Sequence, residues 1–324
     1  MIQNKRVLIT GGGGFVGTQL AERLARDNTV TALDLNFDGN SFALSGLQEN
    51  KGIETAKIDI MDEKGLMGAV SKAQIVVHTA AVLGVQKVLQ AAIQTLDVNY
   101  RGTSNVLKAA YQSGNCERFI QFSTSEIYGA NAFETDENGD TILTSVQNPR
   151  WCYSISKLAA EHLALGYYRE KGLPIVIIRP FNVFGPGRVG SYAVLKFILK
   201  ALKNETLEIY GDGSQIRAWC YIDDFCQGVL KSMESTEAVG QAFNIGNPRN
   251  TMSNYSLAKK IVQICGSRSK IVFKPIDFKD IDVRVPDISK AKKILGYDPK
   301  VEIEEGLSAT IEWVKKNYEW FRKQ

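Results

Sequence analysis

Short apolar runs alternate with stretches of helical spacing through the first half of the chain. Arg6–Thr10 (RVLIT), Thr29–Leu33, Gly52–Asp59, Ile75–His78 (IVVH), Phe119–Phe122 and Pro174–Arg179 (PIVIIR) read as strands. Between them, Phe15–Arg26 places Val16, Leu20 and Leu24 on one face, and Asp62–Ser71, Ile93–Ser113 and Tyr153–Lys171 also read as helices. Strands that alternate with helices imply right-handed βαβ units, hence a parallel sheet with helices on both faces. After about residue 185 the alternation weakens. There, Tyr192–Leu202, Asp287–Leu295 and Ile303–Tyr318 are expected as helices, and Leu207–Tyr210, Ala242–Ile245 and Lys270–Phe273 as strands. The expected organisation is a sheet domain over residues 1–180 and a smaller C-terminal α/β lobe over 181–324. The chain interleaves between them, because Arg179–Asn182 returns to the sheet late.

Composition narrows the chemistry. The 324 residues are 44% hydrophobic, enough for one large domain or two unequal lobes. No apolar run reaches the ~20 residues of a membrane span. The N-terminal residues enter a strand pattern without the apolar core of a signal peptide, so a cytoplasmic protein with no membrane partner is expected. The 39 basic and 35 acidic residues leave a net charge of +4, scattered apart from Lys315, Lys316, Arg322 and Lys323 in the last helix. That distribution argues against a nucleic-acid partner. Cys116, Cys152, Cys220, Cys226 and Cys265 show no CxxC spacing, and His78 and His162 are the only histidines. Neither a zinc cage nor a multi-histidine site follows, so no metal is expected. Neither histidine lies near a G-x-S-x-G elbow. Proton chemistry must come mainly from Tyr, Lys, Glu, Asp, Ser or Thr.

Thr10-Gly11-Gly12-Gly13-Gly14-Phe15-Val16-Gly17 follows a strand and opens a helix. Glycines there permit a tight turn and close approach of a pyrophosphate, and the helix N-terminus adds unpaired N–H groups. Gly11, Gly14, Phe15, Val16 and Gly17 are the candidate cradle of a Rossmann-type, doubly wound fold. Asp34 ends the second strand, where a carboxylate accepts from ribose hydroxyls and repels a 2′-phosphate. NAD is therefore the expected cofactor. Asp59 and Ile60 would meet its adenine edge, and Ala80 leaves room at the fourth strand's end. Asn99 lies on the following helix, as a further cofactor candidate.

Tyr153 and Lys157 stand at i and i+4 on one helix face. A phenol is a poor base at neutral pH, but an ammonium and a positive nicotinamide would stabilise its phenolate. It could then take a proton from a hydroxyl as hydride leaves for NAD. Such a pair alone is common by chance. The stretch Ser123-Thr124-Ser125-Glu126 at an upstream strand end adds a hydroxyl, on Thr124, to hold the substrate oxygen beside Tyr153.

With these motifs residues 1 to about 320 resemble the extended short-chain dehydrogenase/reductase family, in its nucleotide-sugar epimerase, dehydratase and decarboxylase group. The supporting segments are Thr10–Gly17, Thr124 with Tyr153 and Lys157, Arg179–Pro186 (RPFNVFGP), Gly211–Arg217 (GDGSQIR), Asn244–Asn247 and Arg284–Asp287. The resemblance implies an NDP-sugar substrate contacted by Asn182, Arg217 and Arg284. It also implies a homodimer built on the Asn99 and Tyr153 helices.

The shared first step yields a 4-keto sugar. Glu126 implies further chemistry, and the leading expectation is an NDP-hexose 4,6-dehydratase with Glu126 as the base at C5. Ser125 stands where glucose-type dehydratases carry Asp, but Thr-Ser-Glu is similar to GDP-mannose-type dehydratases. The alternatives are a UDP-glucuronate decarboxylase, whose relatives also carry Ser-Thr-Ser-Glu, and a 4-epimerase or C4 oxidase. A non-catalytic NAD sensor is a remote fourth.

Overall fold

Alternation within the strands decides where the core lies. In β1 (Arg6–Thr10), Val7 and Ile9 enter one apolar core and Leu8 the other. In β7 (Ile175–Pro180), Val176 and Ile178 join the first, Ile175 and Ile177 the second. Both faces are thus buried at these two strands, which is why they read as nearly unbroken apolar runs. The helices Glu63–Val70, Thr103–Ser113 and Cys152–Lys171 cover one face, and Phe15–Leu24 and Ile222–Glu234 the other. The computed structural model describes residues 2–38, 40–143, 145–276 and 280–323.

The sheet has seven parallel strands in the order β12 (Gln241–Ile245), β7, β5 (Arg118–Phe122), β4 (Ile75–His78), β1, β2 (Thr29–Asp34), β3 (Ile53–Lys57). The order reverses between β1 and β4, and the crevice at their C-terminal ends is where open α/β sheets bind ligands. A second sheet joins β13 (Thr251–Ser253), β10 (Ile216–Ala218), β15 (Val283–Pro286) and β6 (Asn131–Thr135). Two further pairs are β8 (Val183–Phe184) with β11 (Cys220–Tyr221), and β9 (Leu207–Tyr210) with β14 (Ile271–Lys274).

Two features differ from the sequence reading. Residues 241–245 complete the large sheet, while β6, from the first half of the chain, belongs to the second. The expected helix over 93–113 is Ala92–Asp97, a wide π-type turn at Val98–Gly102, then Thr103–Ser113. The wide turn swings Asn99 inward, where its amide accepts from the Val82 N–H at 2.7 Å and donates to the Val82 carbonyl at 3.0 Å. Among the described residues, no helix is long and apolar enough to cross a membrane, and no cluster of three or more His, Cys, Asp or Glu could hold a metal.

Candidate active site

The glycine turn sits at the β1 end of the crevice. Gly11 has φ 73°, and a Cβ there would lie 2.7 Å from the Ala80 nitrogen at the end of β4. A Cβ on Gly17 would overlap the Gly11 carbonyl. The result is a cradle of bare backbone that opens the helix Phe15–Leu24, whose first N–H groups have no intrahelical partner. Asp34 braces this turn: its Oδ2 accepts from the Gly13 N–H at 2.9 Å and its Oδ1 from Asn36 N–H at 3.2 Å. Asp59 accepts from the Met61 N–H at 2.9 Å just beyond β3, and Ile60 beside it is buried.

Asn99 is placed differently from a ligand-facing side chain. Besides gripping Val82, its Nδ2 donates to Ser156 Oγ at 3.1 Å, so both amide protons are engaged by the protein. It ties the loop after β4 to the Tyr153 helix. His78 is equally committed. Thr103 donates to the Asn99 carbonyl at 2.6 Å, so its oxygen accepts from His78 Nε2 at 2.9 Å, and His78 Nδ1 accepts from Thr10 at 2.6 Å. Burial, aided by Lys157, holds this ring neutral, at about 3.

The sequence-distant Thr124 and Tyr153 meet, and the Thr124 side chain acts on the Tyr153 phenol. Thr124 also caps the turn Ser125–Tyr128, accepting from the Glu126 N–H at 3.2 Å, and Ser125 is buried within that turn. Burial first, then Glu126, push the Tyr153 phenol well above its ordinary value, while Thr124 and Arg150 pull the other way. Lys157, one helical turn on, is buried, and desolvation brings its ammonium down to about 8 against the pull of Glu161.

Glu126 is the centre of a charge cluster. Arg150 Nη1 donates to its Oε2 at 2.6 Å and Nη2 to its Oε1 at 3.0 Å, and Ser154 Oγ donates at 3.3 Å. Arg150 also pairs with Asp280 at 3.3 Å. Burial alone would raise the Glu126 carboxyl; Arg150, Arg284 and Ser154 outweigh it and hold it below its ordinary value.

Arg217 and Arg284 are register partners on β10 and β15, so they enter this cluster side by side. Both are buried, and among the described residues both hydrogen-bond only backbone carbonyls, Arg284 that of Gly129 at 2.6 Å. Burial lowers both guanidiniums, Arg284 to about 9. Asn182, with φ 36°, donates to the Ala218 carbonyl at 3.1 Å and faces the second lobe.

Several groups here escape the sequence reading. Arg150 lies 24 residues from Glu126, and only its place before Tyr153 hinted at a role. Arg188 stacks 3.6 Å from the Tyr192 ring centre and 5.1 Å from that of Phe15, bridging the cradle to the second lobe. Asp280 and Glu161 carried no motif at all.

Comparison with known proteins agrees with this geometry. The NAD dependent epimerase/dehydratase family matches residues 7–246. The UDP-N-acetyl-alpha-D-glucosaminuronate decarboxylase of Bacillus cytotoxicus is 36% identical over 322 residues, covering 96% of this chain and 98% of that protein. UDP-glucuronic acid decarboxylase 1 of Xenopus tropicalis is 34% identical, covering 97% and 73%. The UDP-glucuronic acid 4-epimerase of Bacillus cereus, solved with UDP-glucuronic acid and NAD, superposes with a TM-score of 0.89 at 28% identity, covering 97% and 100%. The chain belongs to the NAD-dependent epimerase/dehydratase family, and its cofactor is NAD.

Proposed function

We propose that the protein oxidises C4 of a UDP-hexuronate and then releases the C6 carboxylate as carbon dioxide. The observation that carries this reading is the state of Glu126. A base for C5–H has to accept a proton, yet both Glu126 oxygens are held in the Arg150 fork and the carboxyl is kept below its ordinary value. This weighs against 4,6-dehydration, the leading expectation from Thr-Ser-Glu. The similar decarboxylases support the alternative.

The bare-backbone cradle fits a dinucleotide. Gly11, Gly14, Phe15, Val16 and Gly17 would hold the pyrophosphate, Asp34 the ribose, and Asp59, Ile60 and Ala80 the adenine side. Asn99 would act by holding the loop after β4. When bound, NAD supplies a hydride acceptor at C4 and returns the hydride later in the cycle.

Thr124 holds the C4 oxygen, and Tyr153 takes its proton where a bound, positive nicotinamide offsets the burial that otherwise keeps the phenol protonated. The Lys157 ammonium offsets the phenolate charge. The product of oxidation is a β-keto acid. Its C5–C6 bond breaks with the electron pair passing into a C4–C5 enolate, so no strong base is needed. The Tyr153 and Thr124 hydroxyls then stabilise the enolate oxygen. C5 takes a proton from solvent, and Tyr153 returns its proton to O4 as the ketone is reduced.

Arg217 and Arg284, which among the described residues hydrogen-bond only backbone carbonyls, offer the cationic wall for an acidic sugar, and Asn182 borders the nucleotide side. Ionised Glu126 opposes the substrate carboxylate, and departure as neutral carbon dioxide removes that repulsion. Exposed Ile93, Tyr100 and Ile155 on the Asn99 and Tyr153 helices support a homodimer.

A second reading, 4-epimerisation of the same acid, is supported by the likeness to the Bacillus cereus structure. Mass spectrometry after incubation with NAD and UDP-glucuronate, UDP-N-acetylglucosaminuronate, UDP-glucose or GDP-mannose separates the classes. Loss of carbon dioxide from an acidic sugar is expected. Loss of water from a neutral sugar would overturn the reading.

A further inference from the structure

Arg179 and Asn244 are register partners on the neighbouring strands β7 and β12, so their side chains leave the same face of the sheet side by side. One hydroxyl lies between them. Arg179 Nη1 donates to the Tyr128 hydroxyl at 2.6 Å, and that hydroxyl donates to Asn244 Oδ1 at 2.8 Å. All three residues are buried. Both neighbours are anchored elsewhere as well. Arg179 donates through Nε to Glu161 Oε2 at 3.2 Å and through Nη1 to the Glu137 carbonyl at 2.9 Å. Asn244 Nδ2 donates to the Thr135 and Asp287 carbonyls at 2.9 and 3.2 Å.

Tyr128 closes the turn Ser125–Tyr128, which Thr124 opens and which carries Glu126. The apolar support of this turn is slight. Ile127 and Tyr128 share a small cluster with Ala132 and Phe181, apart from the two large cores. Three guanidiniums hold the turn instead: Arg150 grips Glu126, Arg284 the Gly129 carbonyl at 2.6 Å, and Arg179 the Tyr128 hydroxyl. Arg150 and Arg284 belong to the charge cluster that an acidic sugar would enter. Arg179 is committed to the protein alone, so its tether keeps its partners when substrate arrives. Ser154 on the Tyr153 helix donates to Glu126 at 3.3 Å, so the turn lies against that helix, and a shift of the turn moves Thr124 relative to Tyr153.

We propose that Tyr128 is a positioning residue for the C4 oxidation: its hydroxyl, held between Arg179 and Asn244, fixes the turn that keeps Thr124 beside Tyr153. The inference rests on the reading that Thr124 and Tyr153 carry out the oxidation, whatever becomes of the keto sugar afterwards.

Tyr128→Phe removes the hydroxyl alone. Arg179 keeps Glu161 and the Glu137 carbonyl, and Asn244 keeps its two carbonyls, so the variant is expected to fold. The first reading is NMR of full-length protein carrying ¹³C-methyl threonine, without cofactor or substrate. The Thr124 resonance is assigned by its loss in Thr124→Ser and is expected to shift and broaden in Tyr128→Phe. The second reading is stopped-flow reduction of NAD by UDP-glucuronate or UDP-N-acetylglucosaminuronate. The rate constant is expected to fall about tenfold, as for a slightly misplaced reacting group, with the half-saturating substrate concentration within about twofold of wild type. A merely structural role would lower the amplitude, which counts folded protein, and leave the rate constant alone. A Thr124 resonance that does not move, or a rate constant equal to wild type, would overturn the proposal. Should Tyr128→Phe fail to fold, Asn244→Ala frees the hydroxyl from its other side and is read in the same way. Tyr153→Phe, run in parallel, tests the underlying reading: normal NAD reduction there would remove the phenol from the oxidation, whereas normal reduction in Tyr128→Phe alone would remove only this proposal.

Discussion

The guanidinium of Arg150 grips both carboxylate oxygens of Glu126, at 2.6 and 3.0 Å, across 24 residues of sequence. This relationship fixes what Glu126 can do. Arg150→Met leaves a buried anion without its main cation and is expected to cost about 3 kcal/mol, the low end for a broken buried pair. The low end applies because the Glu126 side chain keeps 21% exposure against 4% for Arg150. Urea unfolding of the variant against wild type measures it. A loss under about 0.5 kcal/mol, the range of ordinary surface changes, would mean the fork is incidental.

Glu126→Gln separates the two fates of the keto sugar. It keeps the size of the side chain and removes its charge. Oxidation at C4, read as transient reduction of NAD, is expected to persist, while decarboxylation slows by about tenfold or more as the opposing charge is lost, one factor of ten per ~1.4 kcal/mol. Stopped-flow absorbance together with product mass gives both readings. Loss of the oxidation step itself would place Glu126 in the wrong half of the cycle.

Tyr153→Phe deletes the proton acceptor and the hydroxyl that Thr124 acts on. Turnover is expected to fall by about 10²–10⁴-fold, the usual contribution of a positioned acid or base. NAD affinity, read by isothermal titration, should remain, because the cradle is built from other elements. Turnover near wild type would remove the phenol from the mechanism.

His78 gives the fold an acid weakness. Its pKa is lowered from 6.5 to about 3, so the unfolded chain binds a proton that the folded chain refuses, and stability falls as pH drops through the window between those values. Between pH 7 and pH 5 the expected loss from this group is about 2 kcal/mol. Urea unfolding at the two pH values should show it, and His78→Gln should flatten the difference. An equal slope in the variant would assign the acid sensitivity elsewhere.

Much of this architecture is legible in the sequence because it rests on local rules. The glycine turn, Asp34 at a strand end and the apolar runs of a sheet buried on both faces all declare themselves within a few residues. The Tyr153–Lys157 spacing is local too. What stayed hidden depends on distance along the chain. Arg217 and Arg284, named from the resemblance, come beside Glu126 only because β10 and β15 pair in register, and Arg150 reaches it from the turn Pro149–Trp151 before the Tyr153 helix. Strand β6 escaped because only Ala132 of its five residues is fully buried. The break at Val98–Gly102 escaped because the apolar period runs through it; a buried asparagine in mid-helix was the available sign. The helix Ile222–Glu234 was overlooked although Phe225, Val229 and Met233 repeat at its inner face.

The central claim is that carbon dioxide leaves from C6 after Tyr153-dependent oxidation at C4. It is tested most directly with UDP-glucuronate and UDP-N-acetylglucosaminuronate carrying ¹³C at C6, with NAD present. Wild type is expected to release labelled carbon dioxide in step with formation of a pentose nucleotide from one of these acids, and Tyr153→Phe to release almost none. Label retained in a hexuronate of unchanged mass and inverted C4 would contradict the account and make the enzyme an epimerase.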